Sequence, residues 1–421
     1  MADARLKWLV LALASLAIAG NYYAFDSVAP VADLLRTQRG FGQTQLGLLN
    51  AVLGLPNIPL SLIGGLLIDR FGASRIAVVT AGFCFAGAVL TAIGASFGLM
   101  LLGRLLFGIG QETLLIALLA GIACWFEARG AALAMALLFS LARVGSYMAD
   151  VSPRWAAGLY AQGWQPPLWL AAGLTGASLA GALAYRTLDA RRGPETARGR
   201  PDWTGMFDVT GFDRSYWYIL TLNVLFASVF FPFRSTFAIL YFQDAKGLSL
   251  GEAGLVNSWV FFTAIFATPL FGWVADRFGH RAMLLTLGAA LMPLTFVTLG
   301  ATHWSLWIST AMMGLSFSVV PAVIWPATAM LVAPKRLGTA YGLINVLQSL
   351  GLTLCNLGAG RLNDAYQAGR LNPAGYEPML WLFGLLATLG LLATAALWVR
   401  ERGPHGHGLN AAIGSTDHSP P

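Results

Sequence analysis

The sequence predicts an all-α membrane protein, with twelve transmembrane helices in two six-helix bundles related by pseudo-two-fold symmetry. Three observations carry this. Of the 421 residues, 57% are hydrophobic and only 11% charged, whereas soluble domains carry about 25% charged residues. The apolar residues come in blocks of roughly 20, the length at which a helix crosses a hydrocarbon core of about 30 Å. Short blocks of strict alternation, the mark of a membrane β-barrel, are absent. Finally, GLLIDRFGASR at 65–75 returns as GWVADRFGHR at 272–281, so that Gly65, Asp69, Arg70 and Gly72 map onto Gly272, Asp276, Arg277 and Gly279.

Six spans are predicted at about 7–28, 44–67, 75–94, 98–123, 130–150 and 166–187, forming an N-terminal bundle over 1–187. The first block follows Arg5 and Lys7 and ends on small residues, as a signal peptide would. Asn21, Tyr22, Tyr23 and Asp26 continue it without a turn, so it is read as a retained helix. A linker rich in Arg, Gly and Pro is expected over 188–214. Six more spans, at about 215–241, 252–274, 281–300, 304–331, 337–359 and 377–399, form a C-terminal bundle over 215–400, and a disordered tail is expected over 401–421. Cys84, Cys124 and Cys355 fall in separate apolar blocks without metal or disulfide spacing, and are read as small buried hydrophobes. The formal charge of +7 is concentrated in the short loops, which speaks for a membrane rather than a nucleic acid partner. With the N-terminus inside, 17 of the 26 Lys and Arg residues lie in cytoplasmic segments and six on the opposite side. That bias places both termini in the cytoplasm.

The repeated turn carries Asp69, Arg70 and Arg75 in one half and Asp276, Arg277 and Arg281 in the other. Glycines there are expected to let helix ends approach, and the charges to hold a gate shut. This double motif resembles the loop signature of the major facilitator superfamily, a resemblance that covers nearly the whole chain. It implies two bundles that open alternately to the two sides, with helices one, four, seven and ten lining a cavity. NYYAFD, GRLLFGIGQETL, SLARVGS, GLSFSVVPAVIWP and LGTAYGLINVLQSLGL further resemble the dipeptide-transporting branch of that superfamily, in the right order. The resemblance implies facilitated dipeptide movement, with the substrate-site acid matching Glu112 and the fifth-helix arginine matching Arg143. The amino end MADARLK is shorter than the sorting segment of the lysosomal relatives, and the Ala-rich chain looks bacterial. A multi-pass cell-membrane protein, monomeric and without cofactor or metal, is therefore expected.

An ionised side chain at mid-membrane costs about 2.5–3.5 kcal/mol on insertion scales, so it should face water or a partner. On this ground Glu112 is expected to take the ammonium of a zwitterion and Arg143 or Arg234 its carboxylate, through paired hydrogen bonds. Tyr22, Tyr23, Trp325 and Gln348 are expected to line the site. Arg104 is read as structural or gating, and Asp26 as a polar residue of a gate. A second reading is a proton-coupled carrier of organic anions or other small metabolites, with Glu112 carrying the proton. An enzyme is not expected, since no nucleophile–base pair is visible and His303 lies at a loop. His405, His407 and His418 in the tail are too scattered for a metal site.

Overall fold

The computed structural model describes residues 2–126, 128–190, 211–301, 305–333, 336–404 and 406–409. Most of the expected linker, the tail beyond Leu409, and His303, His405 and His418 lie outside the described residues, as does the side chain of Asp276. The chain runs through α1 (Ala2–Asp26), α2 (Val28–Arg39), α3 (Gln43–Gly54), α4 (Asn57–Phe71), α5 (Ala73–Ile93), α6 (Phe97–Trp125), α7 (Ala128–Trp155), α8 (Ala157–Ala161) and α9 (Gln165–Ala190). It continues through α10 (Arg214–Pro232), a π turn (Phe233–Phe237), α11 (Ala238–Lys246), α12 (Leu250–Phe278), α13 (Arg281–Ala301), α14 (Leu306–Leu331), α15 (Leu337–Ala365), a 3-10 turn (Pro373–Tyr376) and α16 (Glu377–Glu401). Among the described residues, β pairing is confined to an isolated bridge between Gly369 and Asn372. Among the described residues, eleven helices are long and apolar enough to cross a membrane, and the bent pair Gln43–Leu60 and Ile63–Phe71 makes a twelfth if counted as one span.

Local chemistry sets the breaks. Pro56 and Pro59 each lack an amide donor, and the chain bends by 64° just beyond them, between Gln43–Leu60 and Ile63–Phe71. Ser249 and Glu252 cap α12 reciprocally: the Ser249 amide donates to Glu252 Oε2 at 2.9 Å and the Glu252 amide to Ser249 Oγ at 3.4 Å. In the repeated turn, Gly72 (φ +85°) and Gly279 (φ +66°) adopt left-handed backbone that a side chain would strain. Gly65 and Gly272, expected to bring helix ends together, have open space where a Cβ would sit. The glycine requirement in that motif is one of backbone conformation and not of close approach. Asp69 is exposed at the end of α4, and the charge contact expected of it is not made among the described residues. Close approach occurs elsewhere. A Cβ on Gly108 would lie 2.6 Å from the Leu53 carbonyl oxygen, and one on Gly145 would press on the Ala19 backbone.

The chain divides into two compact units. Unit 1 comprises Met1–Asp202, Pro232–Ser258 and Leu352–Tyr376. In it α1 packs on α7 and α9, and α5 on α6 and α9. Its core includes Val31, Leu49, Phe107, Leu114, Leu138 and Leu240. Unit 2 comprises Trp203–Phe231, Trp259–Gly351 and Glu377–Pro421, with α13 packed on α14 and α16. There Phe230 stacks on Phe317 with ring centroids 4.2 Å apart. The compact units thus do not follow the sequence halves, because two segments of the second half are held in unit 1. Apolar side chains cover the outside, among them Trp381 and Val399, each 71% exposed, as expected of a lipid-facing surface. Cys124 also lies exposed on α6, contrary to the expectation of burial, because it falls on the face of the helix turned from the core.

The tail folds back at its start. Glu401 accepts hydrogen bonds from the amides of His407 (2.9 Å) and Leu409 (3.4 Å), and Leu409 is fully buried. Residues 401–404 and 406–409 are therefore placed against unit 2, where disorder was expected from composition. Nearby, Asp213 precedes α10. Partial burial pushes its carboxyl up, but the Ser215 amide and hydroxyl, the Arg214 amide and the Arg400 guanidinium outweigh this and bring it down to about 2.

Gly108→Val is expected to destabilise unit 1 by about 1–3 kcal/mol through overpacking, while Gly65→Ala is near neutral; thermal unfolding in detergent separates the two. Asp213 stabilises the fold above its ordinary value of 3.8 and ceases to do so as pH falls towards about 2. Asp213→Asn should therefore be less stable than wild type at pH 6, with the two melting curves converging as the solution is acidified through that window.

Candidate substrate site and its supporting ion pairs

Unit 1 gathers charges of both signs. Arg234 sits in the π turn, fully buried, and its guanidinium meets Asp26 at the end of α1 and Asp150 on α7. A π turn widens the helix and leaves its carbonyls open to outside donors. Asn257 Nδ2 donates to the Arg234 carbonyl at 3.2 Å and to Asp150 Oδ1 at 3.1 Å. Asn50 Nδ2 donates to the Ser235 carbonyl at 3.0 Å and to the Thr236 hydroxyl at 2.8 Å. The Thr236 hydroxyl in turn donates to Asn356 Oδ1 at 2.7 Å. Side chains from α3, α12 and α15 thus hold this turn in place.

Arg104 is also buried, and it serves the backbone. It donates to the carbonyls of Leu49 (3.2 Å), Ala24 (3.2 Å) and Phe25 (2.9 Å) and to Asn50 Oδ1 (2.6 Å). The Ala24 and Phe25 carbonyls lie just before the break at Ser27 between α1 and α2, where the Ser27 hydroxyl also donates to the Ala24 carbonyl at 2.8 Å.

Glu112 on α6 and Arg143 on α7 differ from these in being only half-buried. The Arg143 guanidinium lies over the Tyr22 ring, 5.7 Å from its centroid. Arg143 interacts electrostatically with Tyr22, Asp26, Arg234 and Glu112, and Arg104 with Asp26. Six groups are thereby coupled, with Asp26, Glu112 and Asp150 balancing Arg104, Arg143 and Arg234 in formal charge.

The expected site residues separate on this geometry. Tyr22, Glu112 and Arg143 come together. Tyr23 does not join them: one residue on, and therefore about 100° around the helix, its ring packs near Trp155 with centroids 6.3 Å apart. Arg234 is taken up by two aspartates, so its placement is that of an ion-pair centre. Trp325 and Gln348 belong to unit 2, where the Trp325 ring packs edge-on to Tyr341 and Gln348 Oε1 accepts from Asn223 at 2.7 Å. In the turn motifs, Arg70 lies over the Phe71 ring and Arg277 over the Trp273 ring, while Arg75 is exposed and Arg281 buried.

The sequence does not single out Asp150, which falls at the very end of the expected fifth span of 130–150. In fact α7 runs on to Trp155. Asp150 is seven residues from Arg143, two helical turns along the same face, and that spacing was a usable signal. Nor does the sequence single out a ring of charges on α2. Arg36 contacts Asp33 at 2.8 Å and Asp244 at 2.9 Å, and Arg370 contacts the same two at 3.1 and 3.3 Å. The Tyr376 hydroxyl donates to Asp244 Oδ2 at 2.8 Å and accepts from Gln43 Nε2 at 2.9 Å. Asp364 caps α3 by accepting from the amides of Gln43 and Thr44, both at 2.8 Å.

A helical membrane chain with duplicated turn motifs and balanced intramembrane charge has the character of a solute transporter. A sequence model of the Major Facilitator Superfamily matches residues 14–249 and 219–418, and the chain belongs to that family. It is a transporter and not an enzyme. It is 30% identical over 407 residues to the "Lysosomal dipeptide transporter MFSD1" of Danio rerio, covering 93% of this chain and 86% of that protein. A relative from Cupriavidus necator, 23% identical over 76% of this chain and 78% of its own length, carries the name of a probable sulfoacetate transporter, SauU. The crystal structure of a point mutant of the nucleoside transporter NupG matches in fold with a TM-score of 0.75 at 13% identity, over 94% of this chain and 99% of that one.

Replacing Arg234 with Met should leave two carboxylates buried without their cation and cost about 3–5 kcal/mol, read as loss of monodisperse protein on size-exclusion chromatography. Arg370→Ala, at a position 58% exposed in its side chain, should cost under about 1 kcal/mol.

Proposed function

We propose that this protein is a facilitator of dipeptides or similar small zwitterions, working by alternating access in a cell membrane with both termini cytoplasmic. The observation that carries the reading is the half-buried pair of Glu112 and Arg143, opposite in charge and coupled to each other, with Tyr22 against the guanidinium. A dipeptide brings an ammonium for the carboxylate and a carboxylate for the guanidinium. Arg143 would hold the carboxylate through two parallel hydrogen bonds, and the Tyr22 ring would keep the guanidinium plane oriented. The kinship to a protein named as a dipeptide transporter supports the same substrate class.

Charge balance supports facilitation without a coupled ion. The six coupled groups sum to zero, and a zwitterion adds nothing to that sum. A facilitator must also return empty, and unpartnered charges would oppose the return. With substrate gone, Glu112 and Arg143 attract each other, which limits that cost. Arg234, Asp26 and Asp150 act in this scheme as the fixed scaffold beside the site and not as the carboxylate receptor. A second reading, proton-coupled carriage of an organic anion with Glu112 as proton carrier, draws on the relative named for sulfoacetate.

Purified protein in liposomes distinguishes the two readings. Dipeptide uptake should proceed at the same initial rate with and without an imposed pH gradient. Glu112→Gln and Arg143→Lys should each lower it at least tenfold while the protein remains folded. Strict dependence on the gradient, or unchanged flux in both variants, would overturn the facilitator.

A further inference from the structure

At the end of unit 2 where α10 begins and α16 stops, a cleft of about 570 Å³ opens beside the helices. Its polar wall is Arg214 and Tyr218, one turn apart on α10, with Arg400 from α16. Its apolar wall is Ala395, Ala396 and Val399. Among the described residues, no carboxylate lines it. Arg400 is already engaged, donating to Asp213 at 2.8 Å and to Ser215 Oγ at 3.2 Å. Arg214 is exposed and has no ion-pair partner among the described residues.

The remaining side is closed by Gly403 and Pro404, and that wall is built. It is held because Glu401, below it, collects the amides of His407 and Leu409 and the Ser215 hydroxyl (3.3 Å). The carbonyl of buried Leu409 accepts from the Arg281 amide at 3.1 Å. From the cleft an apolar track runs down α16: Val399 and Leu392, seven residues apart on one face, are 71% and 59% exposed.

We propose that this cleft binds an anionic phospholipid, its headgroup phosphate at Arg214 and Arg400 and an acyl chain along Ala395, Val399 and Leu392. Guanidinium groups at the end of membrane helices match a phosphate held at the bilayer surface. The apolar track distinguishes this occupant from a free anion, which would have no use for it. The site is independent of the transported solute.

Native mass spectrometry and thermal unfolding of the full chain in detergent test this, using phosphatidylglycerol, phosphatidylcholine and inorganic phosphate as separate probes. Phosphatidylglycerol should be retained and should raise the melting temperature, and phosphatidylcholine should do so less. Arg214→Gln should weaken phosphatidylglycerol binding about fivefold, the loss of one cation near an anionic head. Ala395→Trp, which fills the cleft and leaves every charge in place, should weaken it at least as much. Both variants should unfold like wild type when no lipid is added. Equal binding of the two lipids, unchanged phosphatidylglycerol binding in both variants, or stabilisation by inorganic phosphate alone as large as by the lipid would each overturn the proposal.

Discussion

The fully buried guanidinium of Arg234 is the interaction on which unit 1 depends. One cation between Asp26 and Asp150 joins α1, α7 and the π turn at a depth where no charge is tolerated alone. Everything near it is arranged to make that tolerable. The π turn opens its carbonyls, and asparagines from α3 and α12 fill them. A second buried arginine, Arg104, closes the backbone of the α1–α2 break. The result is a polar frame inside an otherwise apolar helix bundle, built from groups that partner one another.

That frame gives meaning to the two charges that are not sealed. Glu112 and Arg143 are half-buried while Arg104 and Arg234 are hidden, although all four lie in long apolar helices. Exposure, rather than charge itself, separates this pair from the groups committed to holding helices together. The close contact of α6 with α3 at Gly108, and of α7 with α1 at Gly145, keeps the helices carrying Glu112 and Arg143 in register with Tyr22.

The architecture was legible because membrane insertion imposes it: twenty apolar residues per span, cations in loops, and a duplicated turn leave little choice. Glu112 and Arg143 were legible for the same reason, since a charge inside oil stands out. What the sequence hid was pairing. Tyr22 and Tyr23 read alike as letters, and only helical rotation sends one to Arg143 and the other to Trp155. Arg234 reads as a candidate receptor until Asp150 is counted inside α7. The helix α2 lies beyond the expected end of the first span at about 28, so the ring around Arg36 and Arg370 was invisible. The fold-back of residues 406–409 depends on one buried carboxylate collecting amides, which composition does not report.

The charge ring on α2 has a topology of its own. Each arginine touches both aspartates, so two alternative pairings satisfy all four groups. Arg36 and Asp33 lie three residues apart on one helix, so their pairing needs no other segment. Arg370 is already largely in water, and Asp244 also holds the Tyr376 hydroxyl. Departure of the 352–376 segment would therefore proceed by partner exchange, without stranding a bare ion at any instant. Such a ring behaves as a soft detent: it favours one arrangement, and its exposed contacts through Arg370 slacken as ionic strength rises.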